Sequence, residues 1–591
     1  MTNETSTTDG AEAPDGDVAD HPSEKDRPAR HWWSGLVHDP ALPPVPRISR
    51  WWKLNGVGAW FAVVFFTWSM TPSLLPRPWY LQAVATGICM AFGYAVAMTL
   101  AFVLRKLGFS PDWSDRTRRW GWIALAVVAV LEVPTILLLG SRWQSMTRDL
   151  VGMPGGDGWR WSLILPLSAL IALALIGLGR VIIKLARIIA RFGSRVVPPL
   201  PAKLIGAALA IVLTIFVLED AVVPAIVAVG GKAAAATDQE MEPGVDRPDA
   251  PERSGSPDSP VAWEDLGRNG RAFVAGGPTA AELEEFSGVP ATTPIRVYAG
   301  LGSGGDVVDI AAVVAAELER TGAFDRAVLA VSTSTGSGWV NGYTTQALEY
   351  LYNGDTAVAG MQYSYLPSPL AFIADRDTPP AAGRALFDAV YELWKELPVD
   401  DRPLLVTFGE SLGSYGGQAA FSGAGDMVAR SDGALWTGTP NFSEPWGRIT
   451  DGRDKGSPER LPVVDYGAHV RFADVPEDLD GLGIWGDSRV VYLQHATDPI
   501  VWWSPDLLLR QPDWLKEDLA SSVNPEMTWF PLVTFWQVTV DMVFSIETPD
   551  GYGHKYQQGT IDAWAAILEP EGWTDAETAR LHEWVAQHRT G

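Results

Sequence analysis

The chain has 591 residues with 70 acidic against 45 basic side chains, a net charge of -25, yet 47% of it is hydrophobic and 27 residues are tryptophan. That length calls for more than one domain, and that charge, without any basic patch, argues against a nucleic-acid partner. A slightly positive mean hydropathy beside so much acid places the apolar and the charged residues in different segments.

Residues 1–54 form a tail and a juxtamembrane segment. Met1 to Arg30 are mostly Thr, Asp, Glu, Ala and Pro, with almost no large apolar side chain. Such a stretch cannot bury enough surface to offset its ordering entropy, so disorder is expected. It also lacks the apolar centre of a secretory signal.

From 55 to 229 the character inverts. Five runs, 57–75, 82–104, 121–139, 161–183 and 204–229, are each long enough to cross ~30 Å of hydrocarbon as helix. Pro72 lies in the first run, and Glu219 and Asp220 interrupt the last. Basic residues precede the first span (Arg47, Arg50, Lys53) and follow the second (Arg105, Lys106, Arg116, Arg118, Arg119). More lie between the fourth and fifth (Lys184, Arg187, Arg191, Arg195, Lys203), whereas the loop between the first two holds only Arg77. The positive-inside rule then puts the N-terminus in the cytoplasm, and five crossings of the cell membrane put everything after Val229 outside. Glu132, Glu219 and Asp220 sit at membrane depth or its edge, where ionisable groups are functional candidates. An interfacial position suits Glu219 and Asp220; Glu132, beside Pro134, is harder to dismiss.

Residues 230–290 read as a linker, since 230–261 is Pro, Asp, Ser and Ala without periodicity. The single cysteine, Cys89, lies in the second span, so no disulfide forms within one chain. No metal-ligand cluster is visible, and no cofactor is expected.

Residues 291–591 suffice for one large core. Apolar runs at 295–298, 327–331, 356–363 and 404–408 alternate with helical patterns at 307–320, 341–352, 381–397 and 412–422. Two more apolar runs follow at 434–437 and 490–494. This alternation predicts an α/β fold, a mostly parallel sheet with helices on both faces, following the all-α transmembrane region. Chemistry in such sheets sits beyond the carboxyl ends of the strands.

The stretch VTFGESLGSYGG, 406–417, contains G-x-S-x-G around Ser411. With 58 glycines in the chain, on the order of 0.3 such matches arise by chance, so context carries the reading. The context is a strand before and a helix after, as a nucleophile elbow requires. Glu410 reads as solvent-facing and receives no role. A serine nucleophile needs a base, and the base an orienting acid, in the chain order Ser, acid, His. Asp498 closely follows the apolar run RVVYLQ, and His554 sits in the glycine-rich loop of TPDGYGHKY. His495 is a rival base that breaks the order, as does His469; His582 and His588 read as surface residues. The oxyanion hole needs two backbone N–H groups. One is expected from Leu412, the other from Thr333, Ser334, Thr335 or Gly336 in STSTGSGW; the loop 299–306 is the weaker alternative and reads as a tight turn.

The segments STGSGWVN, MQYSYLPS, ALFDAVYELW, FGESLGSYGG, TDPIVWW, VTFWQVTVDM and GYGHKY resemble the actinobacterial membrane-anchored alpha/beta-hydrolase family. The resemblance implies a multi-span region before an alpha/beta-hydrolase domain, with Ser411 as nucleophile and His554 as base; Asp498 fits the acid by position. A membrane anchor favours a lipid or cell-envelope ester, cleaved or transferred through an acyl-enzyme by an esterase, lipase or acyltransferase. The stretch 529–544, apolar and aromatic but carrying Gln537 and Asp541, suits either a lid over an acyl chain or an ordinary buried helix. Five spans exceed what an anchor needs, which keeps open a non-catalytic envelope scaffold or transport-associated protein.

Overall fold

A computed structural model describes residues 54–109, 113–193 and 199–588. The tail with Arg47, Arg50 and Lys53, and Arg195, lie outside the described residues.

The N-terminal region is helical: α1 (Gly56–Ser69), α2 (Trp79–Lys106), α3 (Asp115–Leu150), α4 (Ile164–Gly193), α5 (Pro199–Val217) and α6 (Val223–Gln239). Among the described residues four stretches, Trp79–Lys106, Asp115–Leu150, Gly158–Phe192 and Ile205–Gln239, are long and apolar enough to cross a membrane. The expected first span is corrected: α1 has 14 residues and stops at Ser69. Pro72, Pro76 and Pro78 follow it and cannot continue a helix. Leu74 and Leu75 leave the bundle and sit fully buried in the core of the C-terminal domain. The last helical stretch runs ten residues past Val229, through a π-helical turn at Leu218–Val222 that carries Glu219 and Asp220. Glu132 accepts a hydrogen bond from Thr67 Oγ1 of α1.

The C-terminal domain is built on seven parallel strands: β1 (Ile295–Ala299), β2 (Val328–Thr333), β3 (Thr356–Met361), β4 (Leu404–Glu410), β5 (Gly433–Thr437), β6 (Val470–Ala473) and β7 (Arg489–Leu493). Their spatial order is β1-β3-β2-β4-β5-β7-β6. Nearly every strand residue is buried, which accounts for continuous apolar runs rather than alternation. β6 went unexpected because VRFA is short and holds a charge. Arg471 is buried there, its guanidinium donating to the carbonyls of Gly467, Leu479 and Gly483.

The linker reading of 230–290 is also corrected. Helices α7 (Gly267–Ala275) and α8 (Ala280–Ser287) lie within it. Trp263, Leu266, Phe273, Val274, Leu283 and Phe286 are buried in one cluster with Tyr298 of β1 and Val358 of β3. A sheet face at its edge needs an apolar cover, and this segment supplies it.

The remaining helices are α9 (Val307–Thr321), α10 (Gly342–Leu351), α11 (Ser368–Ala374), α12 (Thr378–Glu396), α13 (Leu412–Gln418), α14 (Ala424–Arg430) and α15 (Glu444–Asp451). They continue with α16 (Pro499–Trp502), α17 (Val533–Asp541), α18 (Gly559–Leu568) and α19 (Asp575–Gln587).

The two regions pack together. Arg77, after α1, donates to Asp541 Oδ1 of α17 at 2.6 Å, and both side chains are fully buried. Ser73 Oγ donates to Asp541 Oδ2 at 2.5 Å. Near the end of α3, Thr147 Oγ1 accepts from Asn524 Nδ2 at 3.0 Å and Trp143 Nε1 donates to Glu526 at 2.8 Å. Val227 and Ala234 of α6 pack with Leu366 and with Leu370 and Ala371 of α11. The Arg-rich ends, Arg105 and Lys106 of α2 and Arg116, Arg118 and Arg119 of α3, belong to the other end of these helices.

Candidate active site

Ser411 stands between β4 and α13 with φ 55° and ψ -120°. Such a φ is strained for any residue with a side chain, and it persists only where the surroundings impose it. Here the Ser411 N–H donates to Thr437 O of β5 at 3.0 Å and its carbonyl accepts from Tyr415 N at 3.0 Å. The flanking glycines follow from space. A Cβ on Gly409 would stand 2.6 Å from the Gly413 carbonyl carbon, and one on Gly413 would stand 2.2 Å from Thr333 O. Gly413→Ala is therefore expected to destabilise the protein by about 1–3 kcal/mol through overpacking, seen as a lowered melting temperature of the detergent-solubilised chain.

Because the sheet order puts β2 beside β4, with Thr333 opposite Gly409, the loop after β2 borders the elbow. Within that loop the N–H of Thr335 donates to Trp339 O at 2.9 Å, and that of Gly336 to Ser368 Oγ at 3.2 Å. Those two donors are already engaged by groups of the loop and of α11. Leu412 heads α13, where the first N–H groups of a helix have no partner within it.

Asp498 and His554 are brought together from 56 residues apart, His554 Nδ1 lying 2.6 Å from Asp498 Oδ2. The carboxylate is held from three sides. Tyr556 Oη donates to Oδ2 at 2.7 Å, and the Ile500 N–H donates to Oδ1 at 2.8 Å. His554 Nε2 is buried and without a hydrogen-bond partner among the described residues, and no hydrogen bond joins it to Ser411. Both residues nonetheless meet the same corner of β5. Ser411 bonds to Thr437, and a Cβ on the next residue, Gly438, would lie 2.5 Å from His554 Cε1.

Burial alone would lower the His554 pKa, but the Asp498 charge and hydrogen bond, with the Glu410 charge, outweigh it and raise it. Glu410 is the residue that sequence reasoning missed. It is half-buried rather than solvent-facing, and Asn341 Nδ2 donates to its Oε2 at 2.5 Å and to Tyr556 O at 2.7 Å. Burial pushes its carboxyl up to about 7; the His554 charge and the Asn341 bond pull it down, and the charges of Asp498 and Asp550 push it up. No local signal announced Glu410, Asn341 or Tyr556, since each gains its place from a distant segment.

The other histidines of the hydrolase domain make different contacts. His495 is buried with its ring stacked on Tyr556 at 4.1 Å and its Nδ1 3.0 Å from Gly553 O. His469 Nδ1 lies 2.9 Å from Ser488 O. His582, half-buried, pairs with Asp562, and His588 stacks on Trp584.

A wholly parallel sheet in this order, with a strained serine on a strand-to-helix turn and a buried His–Asp pair at the same edge, defines an alpha/beta-hydrolase. The sequence profile described as the alpha/beta-hydrolase family matches residues 295–581, and that of the same family's N-terminus matches residues 70–278. The chain belongs to this family. No curated protein and no solved structure matches it.

Proposed function

We propose that the protein is a membrane-anchored serine hydrolase that cleaves, or transfers the acyl group of, a lipid or cell-envelope ester. The observation that carries this reading is the Asp498–His554 pair, with its unpartnered Nε2, at the strand edge that holds Ser411. Nε2 takes the Ser411 proton as Oγ attacks the ester carbonyl carbon, and the Leu412 N–H with one from the loop after β2 stabilises the oxyanion. His554 then protonates the departing alcohol as the C–O bond breaks. Water or a second alcohol, deprotonated by His554, attacks the acyl-enzyme and regenerates Ser411. Hydrogen bonds of this kind are often long before substrate binds, so an unpartnered Nε2 is compatible with the role.

The extracytoplasmic placement of the hydrolase domain rests on the basic ends of α2 and α3 lying away from it. Four crossings separate the loop holding Arg77 from the hydrolase domain, an even number, so the short α1 does not alter which side the domain takes.

Fluorophosphonate labelling of membranes from expressing cells tests the reading. Wild type is expected to label and Ser411→Ala to lose all labelling. An unlabelled, folded wild type leaves the elbow as architecture and favours the scaffold. For the pH profile, the base must be neutral to act. Glu410→Gln removes a negative charge that raises the His554 pKa, so the acid limb of kcat/KM is expected to move to lower pH. A stationary or rising limb would remove Glu410 from the electrostatics of the site.

A further inference from the structure

The stretch 529–544 is not a lid. Asp541, at the end of α17, meets Arg77 just before α2 begins, and four residues earlier Gln537 Nε2 donates to Thr71 O at 2.9 Å. Val533 is buried against Phe65 of α1 and Cys89 of α2. Trp536 lies 5.5 Å from Phe92, and Phe530 stacks on Trp68 at 5.0 Å. Cys89 is ten residues into α2, so α17 descends about 15 Å along a membrane-crossing helix. The hydrolase domain thus dips a helix alongside the bundle, into the leaflet it faces.

Two apolar rims of the site adjoin this anchorage. Just beyond Asp541, Val543 and Ile546 are 67% and 66% exposed, and the intervening Ser545 carbonyl accepts the His554 N–H at 2.9 Å. On the nucleophile side, Leu412 packs with Leu366 and Ala371, and this segment leans on α6. Ile373 of α11 is 53% exposed, and Phe372 stacks on Phe442 at 4.2 Å, itself 38% exposed. Each rim therefore touches a candidate catalytic residue or its neighbour on one side and a bundle-packed element on the other. Apolar side chains left in the open beside membrane helices are stabilised by acyl chains rather than by water.

Resting on the serine-hydrolase reading, we propose that the substrate is an ester lipid held in that leaflet and that its acyl chain enters sideways, between the Val543–Ile546 rim and the Ile373–Phe442 rim. Soluble esters reach the serine only by the less favourable route from water.

The test uses the full chain in vesicles of phosphatidylethanolamine and phosphatidylglycerol and two fluorophosphonates, one with a hexadecyl chain and one with a short polyether arm. The Val543→Asp/Ile546→Asp variant changes exposed side chains only. It is expected to lower the ratio of hexadecyl to polyether labelling about ten-fold by placing charge on the lipid path. Val543→Leu/Ile546→Leu should retain the wild-type rate ratio. Equal loss with both probes, or an unchanged ratio in the Asp variant, would overturn lateral access. Failure of wild type to label with either probe would instead overturn the nucleophile itself.

Discussion

His554→Ala is expected to lower turnover of an ester substrate by about 10^6, and Asp498→Asn by about 10^4, in single-turnover assays on purified protein. The difference follows from the geometry. Without His554 nothing accepts the Ser411 proton, and the hydroxyl is a poor nucleophile at neutral pH. Asparagine at 498 keeps the shape, and its carbonyl can still serve Tyr556 Oη or the Ile500 N–H. An amide N–H turned toward Nδ1, however, favours the tautomer with the proton on Nε2, the atom that has to accept one. It also removes the charge that stabilises the imidazolium. The two losses do not add, because Asp498 works through His554; the double variant is expected to match His554→Ala alone. A full sum of the two effects would mean that Asp498 acts on the substrate by itself.

Arg77→Met is expected to destabilise the folded chain by about 3–5 kcal/mol, because it leaves Asp541 buried without its cation. The side chain donates to Asp541 through Nε and to Gln82 Oε1 through Nη1 at 2.7 Å, while its backbone N–H donates to Gln144 Oε1 at 2.8 Å. Losing the guanidinium therefore loosens the joint between bundle and hydrolase domain as well as the pair itself. Burial already raises the Asp541 pKa, with Arg77 and Ser73 drawing it back, so without Arg77 the carboxyl protonates more readily. The deficit of the variant should shrink as pH falls, since a neutral acid needs no cation. Arg77→Met with Asp541→Leu should recover part of the loss, because it removes both charges together. Thermal unfolding in detergent and protease release of the hydrolase domain measure both effects. A single variant as stable as wild type would show that the joint is held by the apolar contacts of Val533, Phe530 and Trp536 instead.

What could be read from the linear chain was local. Glycines two residues either side of Ser411 mark a turn that tolerates no Cβ, and apolar runs of β4, β2 and β3 mark strands buried on both faces. The chain order of Ser411, Asp498 and His554 singled out the pair that the fold joins at 2.6 Å. The four long apolar stretches were equally legible, because length and hydropathy suffice to recognise them. The other features depend on distant contacts. The prolines after Ser69 end α1 locally, but only the fold takes Leu74 and Leu75 into another core and orders 263–287 as a cover for β1. Glu410 is drawn toward His554 by Asn341, which lies 69 residues away. The pairing of α17 with Arg77 spans 464 residues. Backbone preference and hydrophobic run length act within a few turns of chain, and so they are written in the sequence. Burial of a carboxylate, the choice of its partner and the seating of one domain on another depend on contacts that exist only once the chain has closed on itself.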